Sequence, residues 1–196
     1  MCIGLIFLLL FPELYQQAQR AYINGDFELA RKRVEQFLIK EPSSDLTPEA
    51  LYLAAKLRRK PAEAMSYYEK IINEYPDSKM ASCALYKIAQ YFYAKKDYQS
   101  AIKRYKKIRD HYPGSKLVEE CKKWIDTIRS FYFIQLGCFS VSQNAYNLAE
   151  KVKNFEPTVI KEDKLYKVWI GTFTSIGEAQ AFMVDNKLEG FVIRIK

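Results

Sequence analysis

Cysteine, histidine, glycine and proline are all sparse in this chain. Its 196 residues hold four Cys, one His, seven Gly and seven Pro. So little Gly and Pro excludes collagen-like and linker-like sequence. Cys2, Cys83, Cys121 and Cys138 show no CxxC spacing, and His111 stands alone. A zinc site needs about four clustered N or S ligands. No metal or other cofactor is expected, and the cysteines read as small buried hydrophobes. Long hydrophobic runs are missing too. The longest, Ile3 to Phe11, falls far short of the roughly 20 residues of a spanning helix. Nucleophile motifs, a Cys/His dyad and a candidate pair of cleft carboxylates are also lacking, so no enzyme is expected.

The short run does have a use. Met1 to Phe11 reads MCIGLIFLLLF, followed by Pro12, which resembles the apolar centre of a secretory leader. No Lys or Arg precedes it and no small-x-small site follows. Residues 1–11 are read as a leader, with membrane association confined to this end; the competing reading is a first buried helix turn. Apolar residues make up 49% of the chain, which excludes disorder and supplies a core for one or two domains. The 15 Tyr and 12 Phe suit helical repeats or a surface that stacks flat ligands. The net charge of +8 is uneven: residues 1–130 carry 23 Lys+Arg against 16 Asp+Glu, and residues 131–196 carry 8 against 7. Such an excess can attract an acidic partner, but a solvated face is the favoured reading.

An internal repeat organises the first two-thirds. Ile71 to Lys79 reads IINEYPDSK and Ile108 to Lys116 reads IRDHYPGSK; Ala64 and Tyr68 recur as Ala101 and Tyr105 at the same spacing, and Ala50-Leu51-Tyr52 recurs as Ala84-Leu85-Tyr86. An earlier copy ends at Pro42 and carries Ala18 and Ala30 around a Gly25-Asp26-Phe27 turn. Each copy predicts helix, turn, helix and a terminal Pro, with Arg58-Arg59-Lys60-Pro61 shortening the second turn. Small residues at Ala18/Ala30, Ala55/Ala64 and Ala89/Ala101 would let paired helices approach. Leu117, Val118, Cys121, Trp124, Ile125 and Ile128 fall at helical spacing and predict a helix that caps the array.

Near Ser130 the period changes. Phe131–Gly137, Pro157–Lys161, Leu165–Gly171 and Gly190–Ile195 read as strands, and Ser142–Asn154 and Ser175–Asn186 as amphipathic helices, the first capped by Ser142. The order β-α-β-β-α-β predicts a four-stranded antiparallel sheet, first and third strands central, with both helices on one face. The fold class is therefore α+β: a helical solenoid over 12–129, then a small split β-α-β-β-α-β domain over 130–196. Alternation places Tyr132, Ile134, Leu136, Val168 and Ile170 under the helices. It leaves Phe133, Gln135, Lys167 and Trp169, with Val192 and Arg194 of the last strand, on an uncovered face.

These residues carry two resemblances. The repeat over roughly 12–114 resembles the tetratricopeptide (TPR) repeat, although the Trp usual at its first large position is missing. Ile134-Gln135-Leu136-Gly137-Cys138-Phe139-Ser140, Asn144-Ala145, Tyr166-Lys167-Val168-Trp169-Ile170-Gly171-Thr172-Phe173 and Glu178-Ala179 resemble the SPOR domain over 131–196, with Lys167 for a frequent Arg and Cys138 for a small Ser or Ala. The resemblance implies binding to bacterial peptidoglycan glycan strands stripped of stem peptides, hence an exported protein of the periplasm or cell envelope, gathered at the division septum. The TPR-like repeats would recruit protein partners. On the predicted open face the glycan-binding candidates are Phe133, Gln135, Lys167, Trp169 and Arg194, with Ser140 at the rim. The alternative is an RNA-binding protein, because RNA recognition motifs share this element order and stack bases on the sheet. Against it stand the missing glycine-rich aromatic motif and the near-neutral C-terminal region, so no nucleic acid is expected.

Overall fold

The computed structural model describes residues 3–195, and side chains from Glu13 onward. The predicted leader therefore lies partly outside the described residues, Cys2 with it. Two compact units emerge. One comprises Met1–Tyr91 with Lys107–Val118, and the other Phe92–Lys106 with Glu119–Lys196. Residues 92–106 thus group with the C-terminal sheet in the second unit.

Among the described residues seven helices come first: α1 (Ile3–Ile23), α2 (Phe27–Lys40), α3 (Thr47–Lys56), α4 (Pro61–Glu74), α5 (Lys79–Ala94), α6 (Tyr98–His111) and α7 (Val118–Ser130). Among the described residues no helix is long and apolar enough to cross a membrane. The repeats reuse the same local chemistry. Between α1 and α2, Gly25 takes φ +79°, and Asp26 caps α2 by accepting from the Leu29 amide at 3.0 Å. Between α5 and α6, Lys96 takes φ 60° and Asp97 accepts from the Ser100 amide at 3.0 Å. A left-handed residue followed by a capping carboxylate turns the chain and satisfies an orphan helical amide. The α3–α4 turn lacks this pair and starts α4 on Pro61, whose fixed φ suits a first helical position. At the repeat ends, Ser44, Ser78 and Ser115 each accept from the amide two residues on, at 3.1–3.3 Å. In the first unit Ala18, Val34, Phe37, Ala50 and Ala54 are buried in one cluster with Leu14 and Tyr15.

The second unit contains a sheet of β1 (Tyr132–Phe139), β2 (Thr158–Glu162), β3 (Leu165–Phe173) and β4 (Phe191–Arg194), in the order β2-β3-β1-β4 with every neighbour antiparallel. β1 and β3 are central, as expected. Two helices, α8 (Ser142–Lys151) and α9 (Ile176–Asp185), contact these strands. Ser175 caps α9 by accepting from the Glu178 amide. Ser142 does not cap α8, whose N-cap is Val141 without a side-chain hydrogen bond. Ile134, Ile170, Phe173 and Ala179 form the core on the helix side, with Tyr132, Leu136, Phe182 and Val192 packed against it. Two register shifts interrupt β1–β3 pairing, one between Tyr132 and Ile134, one between Gln135 and Gly137. At the first, β3 carries an extra residue around Gly171, whose φ of +70° favours glycine.

Cysteine placement is mixed. Cys121 is buried, Cys83 half-buried and Cys138 exposed, all as free thiols, so the buried reading fails for Cys138. Desolvation pushes the Cys121 thiol up to about 11.

Candidate functional site

The open sheet face expected from alternation is closed. Phe133 is 2% exposed and Trp169 4%. The reason is aromatic packing from α6: the Tyr98 ring lies 5.3 Å from Phe133, which lies 5.4 Å from Trp169. The Tyr98 hydroxyl sits 3.3 Å from that of Thr172. Alternation fixes which side of a strand a residue occupies and says nothing of what a distant segment lays over it.

Beside this aromatic stack remains a cavity of about 550 Å³, wholly within the second unit. The sheet supplies Gln135, Lys167 and Trp169 to its lining, with Glu162 and the end of β4. Its other wall is Gln99, Ile102, Lys103 and Lys106 of α6. Gln135 and Trp169 are direct partners across β1–β3, and the indole Nε1–H donates to Gln135 Oε1 at 3.1 Å. That bond satisfies a buried donor, as a low-dielectric site requires. It also fixes the Gln135 amide, leaving its NH₂ donors for another acceptor. Lys167 is ion-paired with Glu162.

Two expected residues are placed differently. Val192 pairs with Ile134 and Arg194 with Tyr132, so both belong to the helix-covered side and not beside Phe133. The Arg194 guanidinium lies 4.9 Å over the Tyr132 ring and donates twice to the Arg129 carbonyl, at 2.8 and 3.1 Å; the residue reaches only the cavity margin. Ser140 is exposed beyond β1 and lines neither cavity on this face. Phe133 instead borders a much smaller space of about 10 Å³, with Lys96, Tyr98, Glu156 and Thr158. There the Lys96 ammonium donates to Glu156 at 2.6 Å, and this bond holds the Glu156 carboxyl below its usual range. The structure thus brings Gln135, Lys167 and Trp169 together, with Arg194 at the edge. Lys103 and Lys106 belong to the basic excess for which a solvated face was the favoured reading, and nothing in the sequence directed them at the sheet.

Helical hairpins repeated in series, followed by a split β-α-β-β-α-β unit, define a repeat scaffold joined to a small sheet domain. Comparison with known families makes this specific: residues 49–78 and 84–115 match the tetratricopeptide repeat, and residues 129–194 match the SPOR domain. The chain carries both modules, and both are binding domains. The earliest helical hairpin lies outside the matched repeats. Among solved structures, the peptidoglycan binding domain of the B. subtilis cell wall lytic enzyme CwlC is 35% identical, over 34% of this chain and 90% of that one, with a TM-score of 0.29. No curated protein matches the chain.

Proposed function

We propose that this protein is a non-catalytic cell-wall binding protein whose SPOR domain holds peptidoglycan glycan strands, while its TPR repeats recruit protein partners. The observation that carries the reading is the SPOR match over 129–194 together with the cavity that its Gln135, Lys167 and Trp169 line. Gln135, Lys167 and Trp169 converge on one open cavity, with an oriented amide and a cation at its wall. Saccharide hydroxyls need paired donors and acceptors, and their C–H faces need apolar floor; Gln135 offers the first and the Trp169 edge with Ile102 and Ile193 the second. The finer reading is export to the periplasm or cell envelope, preference for strands stripped of stem peptides, and gathering at the division septum. The domain limits we propose are a leader at 1–11, repeats at 12–129 and the SPOR domain at 130–196.

The test is co-sedimentation of the full chain with purified sacculi. Binding that weakens in Gln135→Ala supports the reading. The loss is expected to be modest, since one neutral hydrogen bond contributes about 0.5–1.5 kcal/mol. Equal recovery in the supernatant with and without sacculi would refute it.

A further inference from the structure

Four cations stand at the cavity, and two are engaged. Lys167 is neutralised by Glu162, and Arg194 is committed to the Arg129 carbonyl and the Tyr132 ring. Lys103 and Lys106 remain. They lie three residues apart on α6, a spacing that puts both on one face of a helix, and they line the cavity with no ion-pair partner among the described residues. Their helix is not loosely laid on the sheet. Ile102 is 4% exposed and Tyr98 7%, so α6 is anchored by buried side chains one turn apart.

We propose that α6 is a wall of the saccharide site, and that Lys103 and Lys106 are its specificity-determining residues, selecting a glycan that bears free carboxylates over a neutral one. The inference rests on the wall-binding reading above. Cleavage of the amide that joins a stem peptide to its sugar leaves a carboxylate on the strand. A neutral sugar meets amides at Gln99 and Gln135, the Lys167–Glu162 pair and apolar side chains; a carboxylate also meets two uncompensated ammonium groups. In a partly enclosed space these act through less water than on an open surface. The matched SPOR segment, 129–194, would then be an incomplete site, because α6 lies outside it.

The experiment titrates the full chain with glycan strands freed of stem peptides, either native or with their carboxyls reduced to alcohols. The wild type should bind the native form about tenfold more tightly than the reduced form, the loss expected for one charge-assisted hydrogen bond in a partly exposed site. Lys103→Gln/Lys106→Gln should bind the native form about tenfold more weakly and bind both forms alike. Both positions keep polar side chains on the helix surface, and circular dichroism checks that the variant is folded. A double variant that still discriminates overturns the role of α6 and leaves wall binding standing. Tighter binding by the variant also overturns it, since α6 would then be a barrier. A wild type that binds neither form refutes the wall-binding reading itself.

Discussion

The two faces of one sheet are built on opposite principles. On one side Ile134, Ile170 and Phe173 lie beneath α8 and α9, elements within about forty residues of them in the chain. On the other, Phe133 lies beneath Tyr98, 35 positions earlier, and Trp169 packs against Phe133. The first face has an apolar core with Arg194 at its edge and is closed by local helices. The second mixes aromatic rings with an amide, an ion pair and a cavity, and is closed by a helix borrowed from the repeats. Beneath the local helices the core is closely packed, whereas between α6 and the sheet a cavity of about 550 Å³ remains.

The sharpest way to break this comparison is to remove α6. A fragment of residues 129–196 should keep its helix-covered core and lose the cover over Phe133 and Trp169. Exposing two such side chains costs roughly 3–6 kcal/mol, a large share of the stability of a domain this small. The fragment's Trp169 emission should shift to the red relative to a full chain carrying Trp124→Phe, and β1 and β3 amides should exchange faster. Emission and exchange equal to the full chain would mean that α6 contributes nothing to that face.

Adjacent residues on β1 sharpen it further. Phe133 and Ile134 point to opposite faces and are both buried. In the full chain Phe133→Ala should cost about 3–5 kcal/mol and Ile134→Ala about 2–5 kcal/mol. In the fragment the Ile134 cost should persist and the Phe133 cost should fall below about 1 kcal/mol, because the ring is already in water. Urea unfolding midpoints of the four variants decide the matter. Trp169→Ala belongs with Phe133→Ala: at 4% exposure it damages packing, so weakened binding by that variant cannot report on a ligand contact.

Much of this architecture could be read from the sequence, and the limits are physical. The strand order, the central pair and the aliphatic core follow from period-2 alternation and short connections, which are local. The Gln135–Trp169 neighbourhood was legible for the same reason. Arg194 and Val192 were misplaced because β4 offers only four residues, and shifting a strand by one residue exchanges its faces. Burial of Trp169 against the last repeat helix could be weighed from the sequence, but not that Tyr98 of α6 would cover Phe133. Tyr98 opens a repeat helix, where its aromatic ring reads equally well as packing between repeats, and no local period points it at a strand. Lys103 and Lys106 were hidden in the same way, as two cations among several on a helix surface.

Glycines test backbone strain in the two regions separately. Gly171 in β3 and Gly25 between α1 and α2 both have positive φ, but their surroundings differ. A Cβ at Gly171 would meet the ring of buried Phe173 at 2.2 Å, whereas nothing lies within 4 Å of one at Gly25. Gly25→Ala should cost about 1–2 kcal/mol, the left-handed backbone penalty alone. Gly171→Ala should cost more, because Phe173 must also leave its place in the core. Thermal unfolding of both variants checks the order, and a larger loss at Gly25 would contradict it.

The smallest effect is expected where a charge pair borders the aromatic face. Lys96, in the turn before α6, donates to Glu156 at 2.6 Å, but their side chains remain 49% and 78% exposed. Water and salt screen such a pair, and two long side chains lose freedom in holding it. The bond from Lys96 lowers the Glu156 carboxyl below its ordinary value. A carboxylate with a lowered folded-state value stabilises above its unfolded value and loses that contribution as pH falls through the folded one. Any benefit is therefore present near neutrality and is lost as pH falls through the lowered folded-state value. Glu156→Gln should leave the melting temperature of the full chain unchanged within error at physiological salt. At low salt a small decrease should appear near neutral pH and vanish on acidification. A decrease that survives both high salt and low pH would show that Glu156 contributes through packing, and that the edge of this face is as tightly built as its helix-covered side.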